Sequence, residues 1–311
     1  MNGSRDRSPV FVFGALRSGT TVFRLMLNAH DRVGNPGEMD FLFDFLHRGA
    51  AGWHYDRSGL ETNRIFAASG LNLPDDKDGL DLLDDFLDQL EARQKGRQLC
   101  ITLHRNIAKV AKVLPKARII HMLRDPRDVA RSSIGMGWAG TLYHGVGHWI
   151  ETEREWSDTM FPTDQVLTLT YEGLFRDIRH ELSRVCDFLG AEFSDEMLGY
   201  HHDTTYGPPD PALVEQWKRK AHPRDIALVE GLAQDLMEAR GYALAGTPAT
   251  PALPERLGLS WRNRRHVWRT GFERYGAPVF LGEKLTRHLR LRRLHTRLRQ
   301  RMNRLSVDYL K

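Results

Sequence analysis

Apolar residues follow two rhythms along this chain. The unbroken apolar run at residues 10–13 and the apolar-rich segments at 118–123 and 165–170 have the length and β-branched content of strands. Between and after them, apolar positions recur every three or four residues. Residues 21–28 carry Val22, Leu25 and Met26 in this way, 78–93 carry Leu80, Leu83, Phe86, Leu87 and Leu90, and 174–189 carry Leu174, Ile178, Leu182, Val185 and Leu189. Each of these reads as a helix with one apolar face. Residues 41–46, 106–114, 126–134 and 148–160 read as further helices, and Pro126 suits a first turn, where its missing N–H costs nothing. Residues 48–77 read as loops with short helices. Strands alternating with helices predict an α/β fold, a central parallel sheet flanked by helices. Helices then dominate at 211–220 and 223–240. A Gly246-Thr-Pro-Ala-Thr-Pro251 break predicts a domain over 1–245 and a mainly helical extension over 246–311.

Charge sharpens that division. The chain carries a formal +5, yet residues 246–311 hold sixteen lysines and arginines against four acids, so the rest is mildly acidic. The basic character belongs to the extension, and no nucleic-acid partner is expected. Two cysteines, Cys100 and Cys186, make neither a disulfide framework nor zinc spacing. The polar N-terminus lacks a signal-peptide pattern and no apolar run reaches 18 residues, so a cytoplasmic protein is expected.

The chemistry starts at the end of the first strand. Gly14-Ala-Leu-Arg17-Ser18-Gly19-Thr20-Thr21 has the glycine spacing of a P-loop, which makes the expected sheet P-loop-like. Thr20 stands where the lysine of that motif belongs, and Arg17 is the loop's only cation. The lysine reaches the outer phosphates of a nucleoside triphosphate. Without it the loop suits a phosphate but not ATP hydrolysis. Ser18, Gly19, Thr20 and Thr21 fall at a helix N-terminus, where unpaired N–H groups and the dipole favour an anion.

A second anion site is legible about a hundred residues later, in His121-Met-Leu-Arg124-Asp-Pro-Arg-Asp-Val-Ala-Arg-Ser132-Ser133. Arg124 falls at the carboxyl end of a strand, where open α/β sheets bind ligands, and its fork matches phosphate oxygens. Ser132 can add a hydroxyl. Asp125 reads as a helix cap, with Arg127 and Arg131 as solvated neighbours. Two phosphate sites so separated imply a nucleotide with phosphates at two positions.

This pair of motifs resembles the sulfotransferases, over about residues 9–245. Within that family the chain is most similar to the bacterial group related to tyrosylprotein sulfotransferases. The similarity extends through Arg17–His30, through Tyr171-Glu-Gly-Leu with Cys186-Asp-Phe-Leu-Gly190, and through Gln216-Trp217-Lys218 with Met237–Tyr242. The resemblance implies 3′-phosphoadenosine 5′-phosphosulfate as cosubstrate and no required metal. The first loop would hold the 5′-phosphosulfate, Arg124 and Ser132 the 3′-phosphate, and Tyr171 would contact the donor. Glu38, beyond the first helix, would be the catalytic base, with His144 and His148 as rivals. The family's Lys-Thr-Pro lysine, which stabilises the leaving oxygen, is replaced by Ile101-Thr-Leu-His104-Arg105, so either His104 or Arg105 substitutes or the role is unfilled.

The acceptor is not legible: glycan, lipid, peptide and small natural product all remain open. Residues 284–304, with Leu285, Leu289, Leu294, Leu298 and Met302 near helical spacing among basic residues, suggest either a helix packed on the domain or a peripheral contact with an anionic membrane or acidic partner. The competing functional readings are a P-loop nucleotide kinase or NTPase, and a non-catalytic anionic-surface binder acting through the basic extension.

Overall fold

The computed structural model describes residues 7–202, 204, 207, 210–289 and 291–306. Contacts divide the chain into two compact units, Met1–Val129 with His148–Lys220, and Ala130–Gly147 with Ala221–Lys311. Residues 246–311 therefore share a unit with 221–245.

The first unit is built on a parallel sheet of β1 (Val10–Phe13), β2 (Val33–Gly34), β5 (Gln98–Leu103), β6 (Arg118–Leu123) and β7 (Val166–Thr170), in the order β2-β5-β1-β6-β7. The pleat sends alternate side chains of β1 to opposite faces. Phe11 and Phe13 join one core, which includes helix α2 (Gly79–Arg93) and helix α3 (Ile107–Val113). Val10 and Val12 join a second, with Phe23, Met26 and Leu27 of α1 (Thr20–Ala29) and with Leu182, Val185 and Leu189 of the helix Ile178–Leu189. Two apolar faces are what a parallel sheet needs, because its crossover helices cover both sides.

Several local expectations required correction. The strand β5 was hidden by Gln98, Cys100 and Thr102, which make the run look mixed. Residues 46–55 form an antiparallel hairpin, β3 (Leu46–Gly49) and β4 (Gly52–Tyr55), where loops were expected. The helix expected over 174–189 is two, Tyr171–Arg176 and Ile178–Leu189, because Asp177 leaves helical geometry and caps the second through His180 N. The helix expected over 211–220 is a short turn, Pro211–Leu213, then Trp217–Lys220, separated at Glu215, whose φ is +49°.

The second unit is helical, with α7 (Pro223–Ala239), α8 (Leu253–Tyr275), α9 (Ala277–His288) and α10 (Arg292–Ser306). The stretch around the Gly246–Pro251 break packs on α7 instead of hanging as a linker. Ala249 N donates to Ala227 O at 2.9 Å and Ala245 N to buried Glu230 at 2.8 Å.

Candidate active site

The carboxyl ends of four adjacent parallel strands gather the candidate residues of the first unit. The Gly14–Thr20 loop follows β1, His104 follows β5, Arg124 follows β6 and Tyr171 follows β7.

The loop's shape requires its glycines. A Cβ at Gly14 would sit 2.3 Å from Met122 O of the neighbouring strand, so only glycine allows that approach. Gly19 has φ +91°, and a Cβ there would lie 2.3 Å from the ring of Tyr171. Arg17 also adopts a left-handed φ, +72°. Left-handed residues in such a turn aim successive N–H groups into one concavity, a nest for anions. The first helical bond of α1 is Phe23 N to Gly19 O at 3.0 Å, so helix geometry leaves the N–H groups of residues 20–22 with no helical acceptor. Inside this turn the Ser18 hydroxyl is fully buried and bonds to no protein atom. A buried hydroxyl without a partner costs free energy, which an anion's oxygen at that point would offset.

Three side chains brace the loop. Arg124 donates to Arg17 O and to Leu213 O, both at 3.1 Å, and its guanidinium lies 4.1 Å over the Tyr171 ring. Its Nε is buried with no acceptor. Tyr171 is itself buried, and that burial raises its phenol above the usual range. His148 Nε2 lies 3.0 Å from Leu16 O. A carbonyl only accepts, so that nitrogen carries the proton and donates; it is not a base toward an acceptor. Burial also lowers the His148 pKa.

Beside the loop lies a group that the sequence reading only half found. His104 is buried, with Nε2 3.2 Å from Thr20 Oγ1 and Nδ1 3.1 Å from Asp40 Oδ2. The other oxygen of Asp40 accepts the His104 backbone N–H at 2.8 Å. Burial alone would lower the His104 pKa, but the hydrogen bond and charge of Asp40, with the charge of Glu38, hold it above the ordinary histidine value. Burial would likewise raise Asp40, but the bond and charge of His104 hold it below the ordinary carboxylate value. Each partner thus favours the charged form of the other, and the Nε2 edge of His104 meets Thr20, the residue at the position of the absent lysine. Arg105, the other proposed substitute, is instead committed to Asp44, which its Nε meets at 2.7 Å.

Glu38 is half-buried beside the end of β5. Its neighbours are stitched to that strand by Met39 N to Thr102 O at 3.0 Å and Thr102 N to Gly37 O at 3.2 Å. Asn35 fixes the turn before it, accepting from Gly37 N at 2.9 Å and donating to Thr102 Oγ1 at 3.0 Å. Glu38 therefore lies against the end of the strand that carries His104, and its charge acts on that histidine, while Thr21 continues α1.

Ser132 and His144 belong to the second unit. Ser132 is on α4 (Pro126–Gly135), and His144 Nδ1 sits 2.7 Å from Thr141 Oγ1, its pKa lowered by burial. Arg127 corrects another expectation. Far from being solvated, it is buried, meets Asp125 at 2.6 Å and stacks 3.6 Å from the Trp217 ring. Asp128 anchors the same tryptophan by accepting Trp217 N at 2.9 Å. The sequence lists these residues but does not tell which will be paired in space.

Residues 9–195 match the family model described as "Sulfotransferase family". A Caenorhabditis briggsae protein named "Putative protein-tyrosine sulfotransferase" is 27% identical over 207 residues, covering 62% of this chain and 69% of that one. The Rattus norvegicus protein named "Sulfotransferase 2A6" is 31% identical over 125 residues, and the match spans less than half of its length, 43%. Among solved structures, the sulfotransferase domain of the Synechococcus PCC 7002 olefin synthase superposes with a TM-score of 0.56 at 22% identity, covering 78% of this chain and 98% of that domain. The sulfotransferase domain of the curacin biosynthetic pathway gives 0.54 at 18% identity, with 78% and 100% covered. With the family model matching more than half of its length, and with the fold in agreement, this chain belongs to the sulfotransferase family of enzymes.

Proposed function

We propose that the chain moves the sulfuryl group of 3′-phosphoadenosine 5′-phosphosulfate to a hydroxyl or amine of its acceptor by in-line displacement. The observation that carries this reading is the buried, unsatisfied Ser18 hydroxyl inside a turn lined by N–H groups, with His104, not a lysine, at its side. As the sulfur–oxygen bond of the donor breaks, its electron pair passes to the bridging phosphate oxygen. The turn's N–H groups and Arg17 stabilise charge on the 5′-phosphosulfate. His104, held protonated by Asp40, offers Nε2–H to the leaving oxygen, the role the absent lysine would have filled. Glu38 takes the proton of the acceptor as its oxygen or nitrogen bonds to sulfur. Arg124, with its unsatisfied Nε, is assigned to the 3′-phosphate, and Tyr171 supports both the loop and Arg124.

The kinase reading loses ground because Thr20, at the lysine's position, turns its hydroxyl to His104. The test is transfer of label from the sulfuryl donor to panels of glycans, peptides, lipids and phenols, with ATP and magnesium as control. Label should pass to at least one acceptor class and persist with chelator present. Hydrolysis of ATP with no transfer from the sulfuryl donor would overturn the assignment.

A further inference from the structure

Helix α8 has two faces with different tasks. Its inner face is settled within its own unit: Leu259 is fully buried, Asn263 accepts Gly140 N at 2.7 Å, and His266 lies 3.3 Å from Ile134 O. The opposite face carries Leu253, Leu257 and Trp261, one stripe at helical spacing, and the stripe ends at Trp268, which packs edge-on against Phe272 and Phe280. Leu253 is 70% exposed, Leu257 63% and Trp261 62%, values that leave these large apolar side chains with almost no packing role. Arginines border the stripe, with the Arg265 guanidinium 5.5 Å from the Trp261 ring. The helix holds six arginines against two glutamates. On α9, Leu281 and Leu285 make a second outward row while Val279 and Phe280 pack inward.

We infer that the outer face of α8, with the leucines of α9, docks on the surface of an anionic lipid bilayer. This site lies outside the catalytic reading and does not depend on it. The sequence pointed to 284–304, of which residue 290 lies outside the described residues; the structure moves the main stripe to α8. Charge complementarity selects the occupant: residues 246–311 hold sixteen lysines and arginines against four acids, and α8 itself holds six arginines against two glutamates. Leucine and tryptophan rows rimmed by arginine fit a headgroup layer, where indole rings reside and apolar side chains enter the acyl boundary. A nucleic-acid groove would use the cations and leave the leucines in water. No helix among the described residues is long and apolar enough to span a membrane, so the contact is with its surface.

The experiment is co-sedimentation of the full chain with vesicles of phosphatidylcholine alone or mixed with phosphatidylglycerol. Binding is expected to the mixed vesicles only, with quenching of tryptophan fluorescence by brominated acyl chains. The double variant Leu257→Glu, Trp261→Glu should lose roughly tenfold or more of that binding while melting like the parent, since both side chains point outward. Arg264→Gln with Arg265→Gln, which leaves the apolar stripe intact, should weaken binding to mixed vesicles and reduce its salt dependence. The proposal is overturned if the chain ignores mixed vesicles, if it binds both compositions equally, or if the glutamate variant, folded, binds as the parent does. Retention on heparin or on an acidic polypeptide without vesicle binding overturns it as well.

Discussion

Replacing Asp40 with asparagine tests the part of the site that sequence reading did not foresee. The carboxylate accepts two bonds from one residue, His104 N at 2.8 Å and Nδ1 at 3.1 Å, and both partners are buried. Asparagine keeps the shape and one acceptor but removes the charge. A hydrogen bond to a charged group contributes about 1.5–3 kcal/mol, so Asp40→Asn should lower stability by about that amount. The pH dependence has a definite sign. Asp40 sits below its ordinary pKa, so its contribution is present above the ordinary carboxylate range and is lost as pH falls through the depressed value. His104 sits above its ordinary pKa, so its contribution is full below about pH 6.5 and is lost as pH rises through the raised value. The parent should therefore exceed the variant most between about pH 4 and about pH 6.5, with the gap narrowing on either side. Turnover should fall roughly 10²-fold or more at neutral pH, because His104 then loses the carboxylate that favours its charged, proton-donating form. The alkaline limb of the rate profile should move to lower pH. The assay is a set of denaturant melts and a kcat profile across pH. A variant that melts less stably but keeps the parent's limb and turnover would refute the catalytic role of His104 and leave Asp40 a structural residue.

Three other changes follow from the same geometry. Gly19→Ala forces a Cβ against the Tyr171 ring at a positive φ, and should cost about 1–3 kcal/mol in unfolding free energy and abolish donor binding in calorimetry. Glu38→Gln should preserve donor affinity while lowering turnover roughly 10²–10⁴-fold; unchanged turnover on the true acceptor would remove Glu38 as the base. His148→Gln should raise the KM for the donor about tenfold, the worth of one loop-bracing hydrogen bond, with the shape of the pH profile unchanged; loss of its basic-group limb would restore His148 as a rival base.

What the sequence made legible was local. The glycine loop, the strand before it, and Arg124 at the end of its own strand all carry their signal in consecutive residues, and the structure keeps them adjacent. Glu38 was placed by resemblance, since a loop carboxylate has no periodic signature. Asp40 was invisible for a different reason. It is one acid among forty, and only the pairing of β5 with β1 brings His104 to Thr20 while the Asn35–Asp40 turn delivers the carboxylate. The same pairing was missed because a strand containing Gln98 and Thr102 does not read as a continuous apolar run. Arg127 failed in the opposite direction: a helix-surface spacing predicted water, but Trp217, ninety residues later, covers it. Charge bias located the extension but not its outward face, since only the packed geometry tells Leu259 from Leu257.

The central claim is that two separated anion sites read one nucleotide. Titration calorimetry of the full chain with 3′-phosphoadenosine 5′-phosphate and with AMP tests it most directly. The bisphosphate should bind roughly 10–100-fold more tightly, the worth of about 1.5–3 kcal/mol of charge-assisted bonds to the second phosphate, and Arg124→Ala should remove most of that difference. Equal affinities for the two nucleotides, or a difference that survives Arg124→Ala undiminished, would contradict the account.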